Sequence, residues 1–288
     1  MRPAGLETKI FIDGGNPEET REIIGLLGFL DGQTTNPTLL SKNPEARERL
    51  GEGERFCPSE LLTFYKKVVQ ELSVMMPKGS ISVEVYAVPS TQAKDMLEQG
   101  KEMFSWIPNA HVKFPTSHEG LTAASQALKE SLRINMTLCF SQSQAAAVYA
   151  ATRGAKQGDV YVSPFIGRLD DRGENGMDVV ANILKMYRSG DGHVEVLTAS
   201  VRSYDHLMYA LKLGSDIITA PYAILKEWGQ KGLPLPAEDY VYNARDLEPI
   251  PYQEIDLGKL WQNYDITHDL TAKGMEKFSS DWDSLITG

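Results

Sequence analysis

The first feature of the sequence with an evident chemical use is a lysine set between apolar neighbours. In Val112-Lys113-Phe114, the two-residue period of a strand sends Lys113 to the face opposite its neighbours. If Val112 and Phe114 pack outward against helices, Lys113 points into the space the strand encloses. Desolvation among apolar walls disfavours the ammonium, and a neutral amine attacks carbonyl carbons. The resulting iminium withdraws electrons, so a carbon–carbon bond beta to it can break without a metal. Such a reaction needs one group to take the proton of the departing hydroxyl and another to manage the water lost and regained as the imine forms. Asp13 ends one strand-like run, and Glu84 opposes Val83 and Val85 in another. Asn135 and Thr137 share one face of Arg133–Leu138, with Ile134, Met136 and Leu138 on the other.

Taken singly, each residue has an ordinary reading. A strand-end lysine can snorkel to solvent or pair with a carboxylate, and Asp13 or Glu84 can serve a structural hydrogen bond. Gly14-Gly15 reads as a turn and Asp170-Asp171 as a solvated loop. The five histidines show no metal-ligand spacing, and neither a nucleophile-elbow nor a Walker A pattern occurs. It is the convergence of lysine, carboxylates, asparagines and threonine that favours chemistry.

Convergence requires a scaffold. Apolar strand signals occur at Lys9–Asp13, Phe29–Gln33, Ile81–Val85, His111–Phe114, Arg133–Leu138, Val160–Ser163, Val194–Ala199 and Asp216–Thr219, alternating with helical patterns. Eight strand–helix units predict an α/β fold, a single (β/α)8 TIM barrel with active-site residues at the C-terminal ends of its strands. An open doubly wound sheet is the structural alternative. Helix starts are signposted by Asn16-Pro17-Glu18-Glu19, by Thr116 with Glu119 and by Ser141 with Gln144. Gly28 is placed to close the first of these helices, and the third can end near Gly154. Ser59–Met76 reads as a longer amphipathic helix. Prolines 234, 236, 249 and 251 break Lys231–Glu254 into an irregular connection. Asp256–Tyr264 and Asp269–Ile286 then show helical spacing. The expected organisation is a catalytic barrel over residues 1–230 and a connection with C-terminal helices packed on it over 231–288.

Composition narrows the function classes. At 288 residues, 42% hydrophobic and 24% charged, the chain can bury a large core without disulfides or metals. A net charge of −10 argues against nucleic-acid binding, which needs a basic face. Local arginines can still hold a phosphate. Cys57 and Cys139 have no metal spacing, and Cys139 reads as a small buried hydrophobe. The N-terminal residues lack the apolar core of a signal peptide. The longest uncharged stretch, Ile134–Thr152, is too polar to span a membrane. A cytoplasmic protein without membrane contact is expected, and a homo-oligomer is allowed.

The motifs that carry this pattern resemble the transaldolase family over nearly the whole chain. They are Phe11-Ile12-Asp13, Thr34-Thr35-Asn36-Pro37, Ser82-Val83-Glu84-Val85, Val112-Lys113-Phe114-Pro115-Thr116, Asn135-Met136-Thr137-Leu138-Cys139, Ser163-Pro164-Phe165-Ile166-Gly167-Arg168 and Ala199-Ser200-Val201-Arg202. Leu270–Phe278 and Asp281-Trp282 look like the C-terminal helix of longer members. The resemblance implies class I aldolase chemistry with no cofactor and no metal. Lys113 would be the Schiff-base lysine and Asp13 the group handling the C4 hydroxyl proton. Glu84 and Thr137 would hold the catalytic water. Asn36 and Asn135 would bind the dihydroxyacetone portion, and Ser163 would contact the carbon chain. Arg168, Ser200 and Arg202 would bind the phosphate of a sugar phosphate, which suits paired guanidinium forks. Related fructose-6-phosphate aldolases carry Gln and Tyr where Glu84 and Phe165 stand, so both positions favour transfer of a dihydroxyacetone unit over its release. A departure is Gly14-Gly15, where Thr-Ala or Thr-Gly is commoner. The rival readings are an aldolase releasing dihydroxyacetone and a sugar-phosphate-binding barrel without turnover; the latter would not need Lys113.

Overall fold

Strand residues in this protein are buried on both faces along most of their length. That is the condition of a parallel sheet covered outside by helices and filled inside by its own side chains. The computed structural model describes residues 2–244 and 246–286. Its strands are β1 (Lys9–Asp13), β2 (Gly32–Thr34), β3 (Ser80–Glu84), β4 (Ala110–Pro115), β5 (Ile134–Cys139), β6 (Val160–Pro164), β7 (Val194–Thr198) and β8 (Ile217–Pro221). They form a closed barrel in chain order, with β1 parallel to both β2 and β8. The expected (β/α)8 barrel is therefore the fold.

The helices are α1 (Pro17–Leu27), α2 (Pro37–Leu40), α3 (Pro44–Gly51), α4 (Pro58–Met75), α5 (Ala93–Phe104), α6 (His118–Lys129), α7 (Gln142–Ala151), α8 (Ile166–Asp170), α9 (Gly176–Tyr187), α10 (Tyr204–Leu213), α11 (Tyr222–Gln230) and α12 (Asp269–Asp283). Asn16 caps α1 by accepting from the Glu18 amide, and Gly28 ends it in the left-handed region at φ 76°. Ser141 caps α7 through the Gln144 amide.

Three expectations are corrected and one helix end is sharpened. The second strand begins at Gly32, not Phe29, because Phe29 and Leu30 are half-buried outside the barrel, with Phe29 edge-on to Trp228. The cap of α6 is Ser117, which accepts from the Gly120 amide. The Thr116 hydroxyl is instead spent on the Thr137 carbonyl, and the Glu119 carboxylate takes the Ala93 amide. Helix α7 stops at Ala151, short of Gly154. Asp256–Tyr264 is not a helix. Asp256 draws the Gly258 amide into a local turn, and only Trp261–Asn263 winds into a 3-10 turn.

The barrel register assembles the polar residues. Glu84 pairs with Lys113 across β3 and β4, and Lys113 pairs with Asn135 across β4 and β5. Partners in register point to the same face, so these three side chains share one layer inside the barrel. Toward its end β5 slips register between Met136 and Cys139, and Leu138 adopts φ 57°. The turned-out Leu138 carbonyl accepts from the Thr271 hydroxyl of α12 at 3.0 Å. Gln144 reaches the same hydroxyl at 2.9 Å and the Ile266 carbonyl at 3.1 Å. These contacts tie α12 to the C-terminal ends of the strands, where Met275, Phe278 and Trp282 are buried.

The Gly14-Gly15 departure has a steric counterpart, since a Cβ on Gly15 would lie 2.7 Å from the Leu39 carbonyl oxygen of α2. A tighter approach occurs at Gly120, where a Cβ would fall 1.9 Å from the Pro115 carbonyl oxygen at the end of β4. Gly120→Ala is therefore expected to destabilise the fold by about 1–3 kcal/mol. Urea unfolding monitored by circular dichroism measures it, and an unchanged midpoint would show that α6 moves away without cost.

Candidate active site

At the C-terminal ends of the strands lies a cavity of about 530 Å³. Asp13, Asn36, Lys113, Ser163, Phe165, Arg168, Ser200 and Arg202 border it, together with Thr34, Lys42, Thr219 and Phe278. Glu84, Asn135 and Thr137 are buried beside these residues without lining that cavity.

Lys113 is 2% exposed and Glu84 4% exposed. The Lys113 Nζ lies 2.7 Å from Glu84 Oε2 and donates to the Thr35 carbonyl at 2.9 Å. The expected apolar walls are thus replaced, at the amine itself, by a carbonyl that accepts its hydrogen bond and a carboxylate oxygen that is ion-paired to it without hydrogen-bond geometry. Burial raises the Glu84 carboxyl above the ordinary carboxylate range, and Lys113 and Arg168 pull it back. At this separation only a small reorientation of the amine would bring one of its protons into line with the carboxylate.

Asp13 is positioned by its neighbour in the barrel. Its Oδ1 accepts from the Thr34 hydroxyl at 2.7 Å, and Thr34 meets Thr219 of β8 at 2.6 Å. Thr137 Oγ1 is buried and, among the described residues, has no hydrogen-bond partner. Asn135 is completely buried; it donates to Ser82 at 3.1 Å and accepts from Ser163 at 2.6 Å. One of its two N–H donors and one of its two acceptor sites are therefore already engaged within the chain. Asn36 accepts the Leu39 amide through its side-chain oxygen as the cap of α2, and it also lines the cavity.

The two arginines differ in setting. The Arg168 guanidinium lies over the rings of Phe165 and Phe278, at 5.5 and 5.0 Å from their centroids. Arg202 is half-exposed and engages Asp171 through two parallel bonds of 3.0 and 2.9 Å. Asp170, the other half of that acidic pair, contacts His206 at 3.0 Å, and His206 Nδ1 accepts the Arg202 backbone amide. Ser200, at the end of β7, sits at φ 59°. Among the described residues no group of three or more His, Cys, Asp or Glu side chains is arranged to hold a metal.

Sequence reading did not single out Thr34 or Thr219 as the support of Asp13, nor Lys42 and Phe278 as cavity walls. Thr34 lies within the quoted motif and so carried a signal. Phe278 ends the quoted segment Leu270–Phe278, but its place in the cavity wall was not legible there, because it depends on where α12 docks.

Fold and cavity together define a (β/α)8 barrel with a lysine-centred polar site at its C-terminal end. Residues 10–287 match the family model described as transaldolase/fructose-6-phosphate aldolase, and the chain belongs to that family. It is 38% identical to the "Probable transaldolase" of Dehalococcoides mccartyi over 226 residues, which covers 78% of this chain and 92% of the relative. It is 32% identical to the protein of the same description from Alkaliphilus metalliredigens over 278 residues, covering 96% and 99%. A 3-hexulose-6-phosphate synthase from Salmonella typhimurium superposes with a TM-score of 0.50 at 11% identity, covering 78% of this chain and 97% of that one. At that identity it shares the fold alone. No helix among the described residues is long and apolar enough to cross a membrane.

Burial also raises the Asp13 carboxyl above its ordinary value of 3.8, against the pull of Lys113 and the Thr34 hydrogen bond. The folded state then holds that proton more tightly than the unfolded chain. Its contribution to stability is present below the ordinary carboxylate value and is lost as pH rises through the raised one. Asp13→Asn should accordingly be more stable than wild type at pH 7, by about 0.5–2 kcal/mol. The difference should narrow as the pH falls toward about 4. Urea titrations at the two pH values test this; a variant less stable at neutral pH would mean that Lys113 and Thr34 more than offset the burial.

Proposed function

We propose that this protein is a transaldolase. It would transfer a dihydroxyacetone unit from a ketose phosphate, such as sedoheptulose 7-phosphate or fructose 6-phosphate, to an aldose phosphate through a Schiff base on Lys113. The observation that carries the reading is the buried Lys113–Glu84 pair, 2.7 Å apart, beside a cavity that also holds Asp13 and two arginines. A barrel that only bound sugar phosphate would need the arginines, not this pair.

In the proposed reaction Lys113 passes a proton to Glu84, and the neutral amine attacks the C2 carbonyl of the ketose. The carbinolamine takes a proton back and loses water, leaving the iminium. Glu84 and the Thr137 hydroxyl would orient that water. Asp13 then accepts the C4 hydroxyl proton, the C3–C4 bond breaks, and its electrons pass into the iminium as an enamine. The shortened aldose phosphate leaves. An acceptor aldose phosphate enters, the enamine attacks its aldehyde carbon, and Asp13 returns the proton to the new hydroxyl. Hydrolysis of the product iminium frees Lys113. Asn36, Asn135 and Ser163 would hold the dihydroxyacetone end, with Asn135 acting largely by fixing Ser163, to which it is already bonded. Phe165 would wall the cavity under Arg168. Arg168, Ser200 and Arg202 would hold the phosphate.

Borohydride reduction in the presence of fructose 6-phosphate, followed by peptide mapping, tests the reading. The adduct is expected on Lys113, and Lys113→Met should fold yet show no adduct and no detectable transfer. An adduct on another lysine would overturn the mechanism. For the arginines, a charge-assisted contact is worth about 1.5–3 kcal/mol. Arg168→Ala should thus raise KM for a phosphorylated acceptor roughly tenfold to a hundredfold and hardly change it for an unphosphorylated aldehyde. Arg202→Ala should cost less, because phosphate must first compete with Asp171. Equal losses on both acceptor types would show that these arginines do not read phosphate.

A further inference from the structure

The lysine–carboxylate pair is held from behind by hydrogen bonds that begin outside the barrel, on α4. Tyr65 Oη lies 2.6 Å from Thr35 Oγ1 and accepts the Glu84 backbone amide at 2.9 Å. Thr35 Oγ1 in turn lies 2.7 Å from the Ser82 carbonyl oxygen. A carbonyl only accepts, so the Thr35 hydroxyl donates to Ser82. The Tyr65 hydroxyl must then donate to Thr35, and its lone pair remains for the Glu84 amide. The Thr35 carbonyl accepts from Lys113 Nζ at 2.9 Å. One phenol oxygen thereby fixes the backbone that carries Glu84 and the residue that takes a proton of Lys113.

None of these groups is softened by solvent. Tyr65 is fully buried and Thr35 is 2% exposed. Trp106 and Trp282 stand nearly edge-on to the Tyr65 ring, at 5.8 and 6.0 Å. The chain of bonds begins at a backbone amide and ends at a backbone carbonyl, so no proton can leave the site through it. Burial also pushes the Tyr65 hydroxyl above the ordinary tyrosine range, which keeps it protonated.

We propose that Tyr65, acting through Thr35, is a positioning residue that holds the Lys113 amine and the Glu84 carboxylate in register for imine formation, an inference that rests on the Schiff-base reading above. Without the phenol oxygen, the Glu84 amide loses its acceptor and the Thr35 hydroxyl its donor in a dry environment, and Thr35 is held only by its bond to Ser82. The two strand ends are then free to relax. A displacement of about 1 Å between reacting groups costs on the order of a hundredfold in rate.

The test uses the full chain as wild type, Tyr65→Phe, Thr35→Val and Thr35→Ser. The readouts are the rate of borohydride trapping on Lys113 with fructose 6-phosphate, kcat and KM for transfer, and the melting temperature. Tyr65→Phe and Thr35→Val should each slow trapping and lower kcat about tenfold to a hundredfold. KM should stay within about twofold, since the phosphate contacts are untouched. Thr35→Ser, which keeps the hydroxyl, should recover most of the rate. The double variant should lose little more than either single one, because both cut the same chain of bonds. If Tyr65→Phe does not fold, Thr35→Val against Thr35→Ser makes the same comparison. Variants that melt earlier but trap and turn over like wild type would reduce Tyr65 to a packing residue and overturn the proposal while leaving the Schiff-base reading standing. A wild type that is not trapped on Lys113 would overturn both.

Discussion

Placing an amine and a carboxylate 2.7 Å apart, both nearly inaccessible to water, strips each of hydration that their mutual attraction alone does not repay. Much of the barrel's polar interior can be understood as repayment of that cost. The Thr35 carbonyl takes a lysine proton. The Arg168 charge and the Lys113 charge both act on Glu84 against the burial that raises it. Asp13 is tied through Thr34 to Thr219, so the closing seam between β1, β2 and β8 carries a polar stitch of its own. Each bond also fixes a side chain that the proposed reaction uses, so the demands of stability and of geometry coincide.

The connection after the barrel matters because the site has no roof without it. Helix α12 brings Phe278 under the Arg168 guanidinium and Trp282 against Tyr65. Its attachment depends on Gln144 and Thr271, and Thr271 uses a carbonyl that faces it because β5 leaves its regular course at Leu138. A left-handed leucine at the end of a central strand is costly. Here its turned carbonyl gives α12 a fixed point on the strand ends.

The alternation of strand and helix signals was sufficient to read the barrel, because both periods are local and the packing that closes eight units follows from them. Placement of Lys113, Glu84 and Asn135 in one layer followed from period two combined with register. What sequence could not carry was competition between partners. Thr116 looked like a helix cap, but the Thr137 carbonyl claims its hydroxyl. Asn135 reads as a ligand for substrate, and nothing local shows that Ser82 and Ser163 already engage part of its amide. Tyr65 sat in an amphipathic helix among other core residues, and nothing local distinguished its hydroxyl from an ordinary buried phenol. The Asp171–Arg202 pair was likewise hidden, since the two residues lie on separate loops and only the folded chain joins them.

The depth of Lys113 has a bearing on chemical damage. Reducing sugars modify accessible amines wherever they meet them, and a reactive lysine on a surface would be consumed by glycation. At the rim of this cavity Lys273 and Lys277 keep well over half of their side chains in water and are paired with Asp269 and Asp281. Lys113, by contrast, is buried at a cavity that Arg168, Arg202, Phe165 and Phe278 also line. If the arginines hold phosphate as proposed, a carbonyl compound that carries an anion would be retained there while it finds the amine, and a neutral sugar would not. On the proposed reaction, the same burial that burdens the folded state would also act as a sieve, sparing the lysine that the chemistry needs.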